Sequence, residues 1–196
     1  MSNLPYYSLL GPRPFQKDEY SIASVRFLDS EPIRIWRNEQ ISALRQAKLL
    51  SKTEQIEYFT RVIEHDFNQM KPSQILVRFC LNENLIGYGG IVHLDWINLR
   101  GEISFLLDTA RTKDSASYQR ELNVFFNLIK ELGFRKLGLH KLTTEAYAHR
   151  TNHVDAIKNA GFKCDGILRD HVKVNGRWVD AVVGSCLCDE FINGSS

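Results

Sequence analysis

The chain has 196 residues, 43% of them hydrophobic, which suits one domain with a full core and excludes a disordered chain. Lys plus Arg number 25 and Asp plus Glu 23, a formal charge of +2, so no protein built to grip nucleic acid or an anionic membrane is expected. The start of the chain lacks the basic and apolar regions of a signal peptide, no apolar run reaches membrane-spanning length, and Cys80, Cys164, Cys186 and Cys188 form no Cys-x-x-Cys pair. These features lead us to expect a soluble, cytoplasmic protein with free thiols and no metal site.

Residues 1–20 read as a tail or an N-terminal strap, 21–188 as a single domain and 189–196 as a C-terminal tail. Alternation from Ser21 to Asp29 predicts a strand whose Val25 and Phe27 face the core. Ile33, Trp36, Leu44 and Ala47 follow a helical stripe broken near Asn38. Ser51 and Glu54 form a capping box that starts a second helix, with Ile56, Phe59, Ile63 and Phe67 on its apolar face. Strands over 75–80, 85–94 and 101–107 make an antiparallel meander, and Gly87, Gly89 and Gly90 in the second suggest a bulge or a close backbone approach. The polar loop 108–117 precedes a helix carrying Tyr118, Leu122, Phe125, Ile129 and Leu132, with Gly133 as its expected terminator. A strand over 139–147 completes a βαβ unit, so it should run parallel to 101–107. A short helix over 151–160 ends at Gly161, and a hairpin of 164–174 with 177–188 turns at Asn175-Gly176. The fold class is α+β.

A polar loop that leaves a strand and opens a helix is a ready anion site, because free amides and the helix dipole face outward there. Arg111 and Lys113, with the hydroxyls of Thr112, Ser115 and Ser117, suit a pyrophosphate; solvated loop charges are the competing reading.

The order of these elements resembles the GNAT acetyltransferase family over about residues 21–188. The resemblance is carried by Trp36-Arg37-Asn38, Ile86-Gly87-Tyr88-Gly89-Gly90, Gly101-Glu102-Ile103-Ser104-Phe105, and Ala160-Gly161-Phe162-Lys163-Cys164-Asp165-Gly166 with Leu168-Arg169-Asp170. It looks closest to the branch of ribosomal-protein N-terminal and amino-sugar acetyltransferases. It implies a three-layer α/β arrangement around a mixed, mostly antiparallel sheet whose two parallel strands splay apart. Acetyl-CoA would bind as cosubstrate, its pantetheine arm along Phe105, Leu106 and Leu107, its pyrophosphate near Arg111, Thr112, Lys113, Ser115, Ala116, Ser117 and Tyr118. The acceptor would be a small-molecule amine, favoured as an amino sugar, possibly nucleotide-linked; a protein N-terminus, another small amine or a non-catalytic acyl-CoA-binding module are the alternatives. Open sheet edges leave room for a homodimer.

Three positions depart from the family pattern: Asp114 stands where the phosphate loop has Gly, Arg150 where an Asn is usual, and Ile157 where a Tyr often protonates the thiolate. Arg150, Asn152 or Tyr147 is then left to serve the cofactor. The resemblance points to Glu102 as general base, with a strand-edge ion pair as the competing role; His93 and Tyr147 are further catalytic candidates. Trp36, Arg37, Asn38, Tyr88, His149 and His171 are the candidates for the acceptor side, against ordinary packing roles.

Overall fold

The computed structural model describes residues 4–194. Eight strands form one sheet in the order β1-β2-β3-β4-β5-β6-β8-β7: β1 (Phe15–Lys17), β2 (Tyr20–Ser24), β3 (Ile75–Leu81), β4 (Asn84–Asp95), β5 (Arg100–Leu107), β6 (Lys141–Tyr147), β7 (Lys163–Val174) and β8 (Arg177–Leu187). Every neighbouring pair is antiparallel except β5 and β6. The helices are α1 (Ser30–Glu39), α2 (Lys52–Tyr58), α3 (Glu64–Phe67), α4 (Ser115–Lys130), α5 (Thr151–Asn159) and α6 (Cys188–Asn193). A wide turn over Phe59–Ile63 makes α2 and α3 one continuous rod.

Side-chain alternation sorts the sheet's central strands into two faces. Phe79 and Phe105 meet Phe125 of α4 at ring-centroid distances of 5.3 and 4.7 Å. On the opposite face Leu76, Tyr88, Val92 and Ser104 look towards Ile33 of α1 and Tyr58 of α2 across a cavity. The capping box is present, Glu54 N donating to Ser51 Oγ at 3.2 Å and Ser51 N to Glu54 at 2.8 Å. Asn175 and Gly176 take φ of 48° and 82°, as the expected hairpin turn requires.

Several boundaries differ from the sequence reading. The strand expected to 29 stops at Ser24, because the backbone turns into a short helix at Phe27–Asp29. Phe27, expected in the core, is 45% exposed, and Ile56 is exposed on the apolar stripe that Phe59, Ile63 and Phe67 bury. Residues read as an N-terminal tail or strap pack onto the domain: Tyr7 is fully buried and its hydroxyl accepts from Leu76 N at 3.1 Å. The C-terminal segment read as a tail carries most of α6. Gly133 does not end its helix. A wide turn continues over Glu131–Lys136, and Gly133 lies 3.0 Å, measured from the position of a Cβ, from Leu142, so it is a packing glycine; Gly138, at φ 67°, follows the end of the turn.

The glycines of β4 answer a close approach. A Cβ on Gly89 would lie 2.1 Å from Ser104 O and 2.8 Å from the Phe125 ring. Gly89→Ala is therefore expected to destabilise the fold by about 2 kcal/mol or more through overpacking between rigid backbone and α4. Chemical denaturation of the variant beside the parent chain checks this.

Candidate active site

The parallel pair is joined only at its start. Arg100, Gly101 and Glu102 pair with Lys141, Leu142 and Thr143, and no pairing follows although β5 runs to Leu107 and β6 to Tyr147. The strands therefore part beyond Glu102 and Thr143. The β5 edge over 103–107 keeps its slot-facing backbone groups without a strand partner, and Leu107 O instead accepts from Gln40 Nε2 at 2.8 Å.

Three adjoining cavities follow this slot. One of about 470 Å³ lies between the 108–114 loop and the start of α5 and is lined by Thr112, Ser115, Tyr118, His149, Arg150 and Asn152. One of about 510 Å³ fills the splay itself, with Glu102, His93, Phe105, Tyr147 and Ile157 on its walls. One of about 310 Å³ lies between α1, α2 and the sheet, with Arg37 and Tyr88. Arg150 and His153 border the first two and Arg37 the last two, so the three make one cleft.

At the loop end the expected anion cradle is differently built. Asp114 is the N-cap of α4, its carboxylate accepting from Ser117 N at 3.1 Å, and hydrogen bonds from the Ser117 hydroxyl first and then from the Ser117 and Ala116 amides lower its pKa. The carboxylate thus occupies helix amides that a phosphate would otherwise use. Arg111 turns away as well: its Nε lies 3.0 and 3.1 Å from the carboxylate oxygens of fully buried Glu121, whose hydrogen bond raises the arginine's pKa. Arg111 is a partner for a buried charge, not a free cleft cation. Lys113, Ala116 and Ser117 are not on the cavity wall, whereas Thr112, Ser115, Tyr118, Arg150 and Asn152 are.

At the other end the charges are concentrated. Arg45, on the loop between α1 and α2, makes a short ion pair with Glu102 and lies 3.6 Å from Glu145. His171 Nε2 is 3.7 Å from the other Glu145 oxygen, which is buried and makes no hydrogen bond. Glu102 therefore has the ion pair its competing reading foresaw and also faces the cleft. His93 is set by a register shift between Val92 and Asp95 and takes φ of 51°, which turns it towards the same cavity. Tyr147 is buried beside it and its pKa is raised by that burial.

The acceptor candidates separate. Arg37 lines the cleft and donates to Tyr88 Oη at 2.7 Å and to Gln46 at 2.9 Å. Trp36 is 8% exposed, belongs to the core cluster and is not on the cavity walls, so its indole covers no ligand ring there. Asn38 ties down the α1–α2 loop, donating to Leu50 O at 2.9 Å and accepting from Leu50 N at 2.8 Å. His149 borders the loop-side cavity instead of the acceptor side.

The sequence reading missed Gln40, Arg45, Glu121, Glu145 and His153. Glu145 was within reach, since it shares a strand face with Thr143 and Tyr147. His153 is buried, with Nδ1 2.7 Å from Tyr118 Oη, and burial together with the Arg150 charge pushes its pKa down to about 3. Tyr118 is raised by burial, partly offset by Arg150.

Two outcomes follow from these contacts. Arg111→Ala strands the Glu121 charge and should cost about 3–5 kcal/mol of stability, measured by denaturant unfolding. The unfolded chain protonates His153 near its ordinary 6.5, while the folded chain resists until about 3, so His153 makes stability fall as pH drops through that window. Melting temperatures should accordingly decline from about pH 6.5 to pH 5, above most carboxylate titration, and His153→Gln should flatten that limb.

Comparison with known proteins agrees with this architecture. The sequence family described as "Acetyltransferase (GNAT) domain" matches residues 22–183. An uncharacterized N-acetyltransferase, p20, from Bacillus licheniformis is 26% identical over 109 residues, 56% of this chain and 58% of that protein; the match thus spans little more than half of that relative. In fold, the chain is similar to a spermidine N-acetyltransferase from Vibrio cholerae in complex with CoA and spermine, with TM-score 0.79, 17% identity, and 90% of this chain and 100% of that one covered. A chimera of the Vibrio cholerae enzyme gives TM-score 0.76 at 18% identity, covering 89% of this chain and 99% of that one. With most of its length matched, and with the splayed parallel strands that the resemblance implied, the chain belongs to the GNAT acetyltransferase family.

Proposed function

We propose that the protein transfers the acetyl group of acetyl-CoA directly to the primary amine of a small, cationic acceptor. The observation that carries this reading is the unpaired β5 edge over 103–107 facing an open slot. Such an edge offers backbone donors and acceptors to an extended, amide-bearing chain, as a strand does in β-augmentation, and the pantetheine arm is such a chain. Thr112, Ser115, Arg150 and Asn152 would receive the phosphates at the loop end, in place of the helix amides that Asp114 occupies.

The acceptor enters from the opposite end. Glu102 and Glu145 favour a positively charged amine, and the Vibrio cholerae neighbour's bound spermine supports that class. An amino sugar, the acceptor expected from the resemblance, finds no indole at the cleft to cover a sugar ring, because Trp36 is in the core. An ammonium must lose a proton before it attacks, and Glu102, at the point where the strands part, is the carboxylate placed to take it. Arg45 must release Glu102 for this, so the incoming cation and Arg45 compete for the same carboxylate.

Two measurements test the reading. Acetyl-CoA should raise the melting temperature, and CoA release with a panel of polyamines, amino sugars and peptides should be fastest with polyamines. Glu102→Gln should lower kcat at least ~100-fold while leaving acetyl-CoA affinity within about threefold. Stabilisation without CoA release from any amine would favour a non-catalytic acyl-CoA-binding module, and no stabilisation would overturn the cofactor assignment.

A further inference from the structure

The proposed reaction ends with the thioester carbon–sulfur bond breaking, and the electron pair stays on sulfur. Charge that develops there is stabilised by a fixed hydrogen-bond donor. Ile157, on the cavity wall, offers none. One turn earlier on the same face of α5 is His153, which borders both the loop-side cavity and the cavity in the splay. No other cleft residue bridges this junction with a buried, titratable ring.

Its ring is held in one orientation. Nδ1 is 2.7 Å from Tyr118 Oη, and Arg150 donates to the same hydroxyl oxygen at 3.4 Å. If Nδ1 carried the proton, the buried Tyr118 hydroxyl would face two donors and its own hydrogen would be left without an acceptor. With Nδ1 as acceptor the Tyr118 hydroxyl and Nδ1 are both satisfied, and the imidazole hydrogen lies on Nε2. Burial and the adjacent guanidinium keep the ring neutral. Tyr147, which shares the wall with the hydroxyls of Ser104 and Thr144, has Arg45, Glu145 and Arg150 as its charged neighbours, the first two of them at the acceptor end.

We propose that His153 is a catalytic residue whose Nε2–H hydrogen-bonds to the departing sulfur, and that Tyr118 is the positioning residue that fixes this tautomer. This rests on the acetyl-CoA reading above. His153 keeps its proton throughout. On becoming an amide the acceptor ammonium loses two protons: one passes through the base to the medium, and one ends on the sulfur of released CoA.

The test combines kinetics with nitrogen-15 NMR of the histidine side chains. His153→Leu should lower kcat about 30-fold with KM for acetyl-CoA within about threefold, and His153→Gln, whose Nε2 amide reaches the same point, should recover at least about a tenth of the parent kcat. The parent protein should show His153 as the Nε2–H tautomer, and Tyr118→Phe should give a mixture of tautomers with reduced kcat. Unchanged kcat in His153→Leu, no recovery in a folded His153→Gln, or an Nδ1–H tautomer in the parent protein would each overturn the assignment. A parent protein that turns over no amine would instead defeat the proposed function, and the tautomer measurement would then decide the histidine's arrangement alone.

Discussion

Everything in the site depends on one place where hydrogen bonding stops. β5 and β6 begin as an ordinary parallel pair and separate after Glu102 and Thr143. Each strand is secured on its other side, β5 by β4 and β6 by β8, so the sheet survives the break. The break exposes a row of peptide groups inside the protein, and such groups need partners. Gln40 supplies one at Leu107. The remainder are the groups that the proposed extended ligand would meet.

The walls of the slot then divide the chemistry by charge. The loop end looks cationic in sequence, but the structure spends Arg111 on Glu121 and the α4 amides on Asp114, leaving hydroxyls and Arg150 to meet an anion. The far end gathers Glu102 and Glu145 around Arg45. A guanidinium of the protein itself sits where the charge of an incoming amine would be welcome. Between these ends the walls hold Phe105 and Ile157, and at the junction with the loop-side cavity His153, whose ring is hydrogen-bonded to Tyr118.

Legibility in the sequence followed how local the cause was. The capping box at Ser51 and Glu54, the Asn175-Gly176 turn and the βαβ order are written in neighbouring residues, and each is present in the structure. Glu102 was named from the resemblance and His93 and Tyr147 from their places at strand ends, and the three share one cavity. What escaped was set by distant partners. Arg111 reads as a free loop cation until Glu121, ten residues on, is seen to be buried. Trp36 reads as a ligand-facing indole until α1 is docked and turns it inward. Arg45 sits in a loop without periodicity, and only tertiary packing brings it between two carboxylates. Gly133 looks like a helix stop, and its small size instead lets Leu142 of β6 and Ile91 of β4 pack close against the helix.

Backbone hydrogen–deuterium exchange of the protein with and without acetyl-CoA tests the central claim most directly. The account predicts that the slot-facing amides of 103–107 exchange readily in the free protein and become protected when acetyl-CoA is added, while the paired amides of 100–102 change little. Amides at 103–107 that are already fully protected in the free protein, or that stay unprotected at saturating acetyl-CoA, would contradict it.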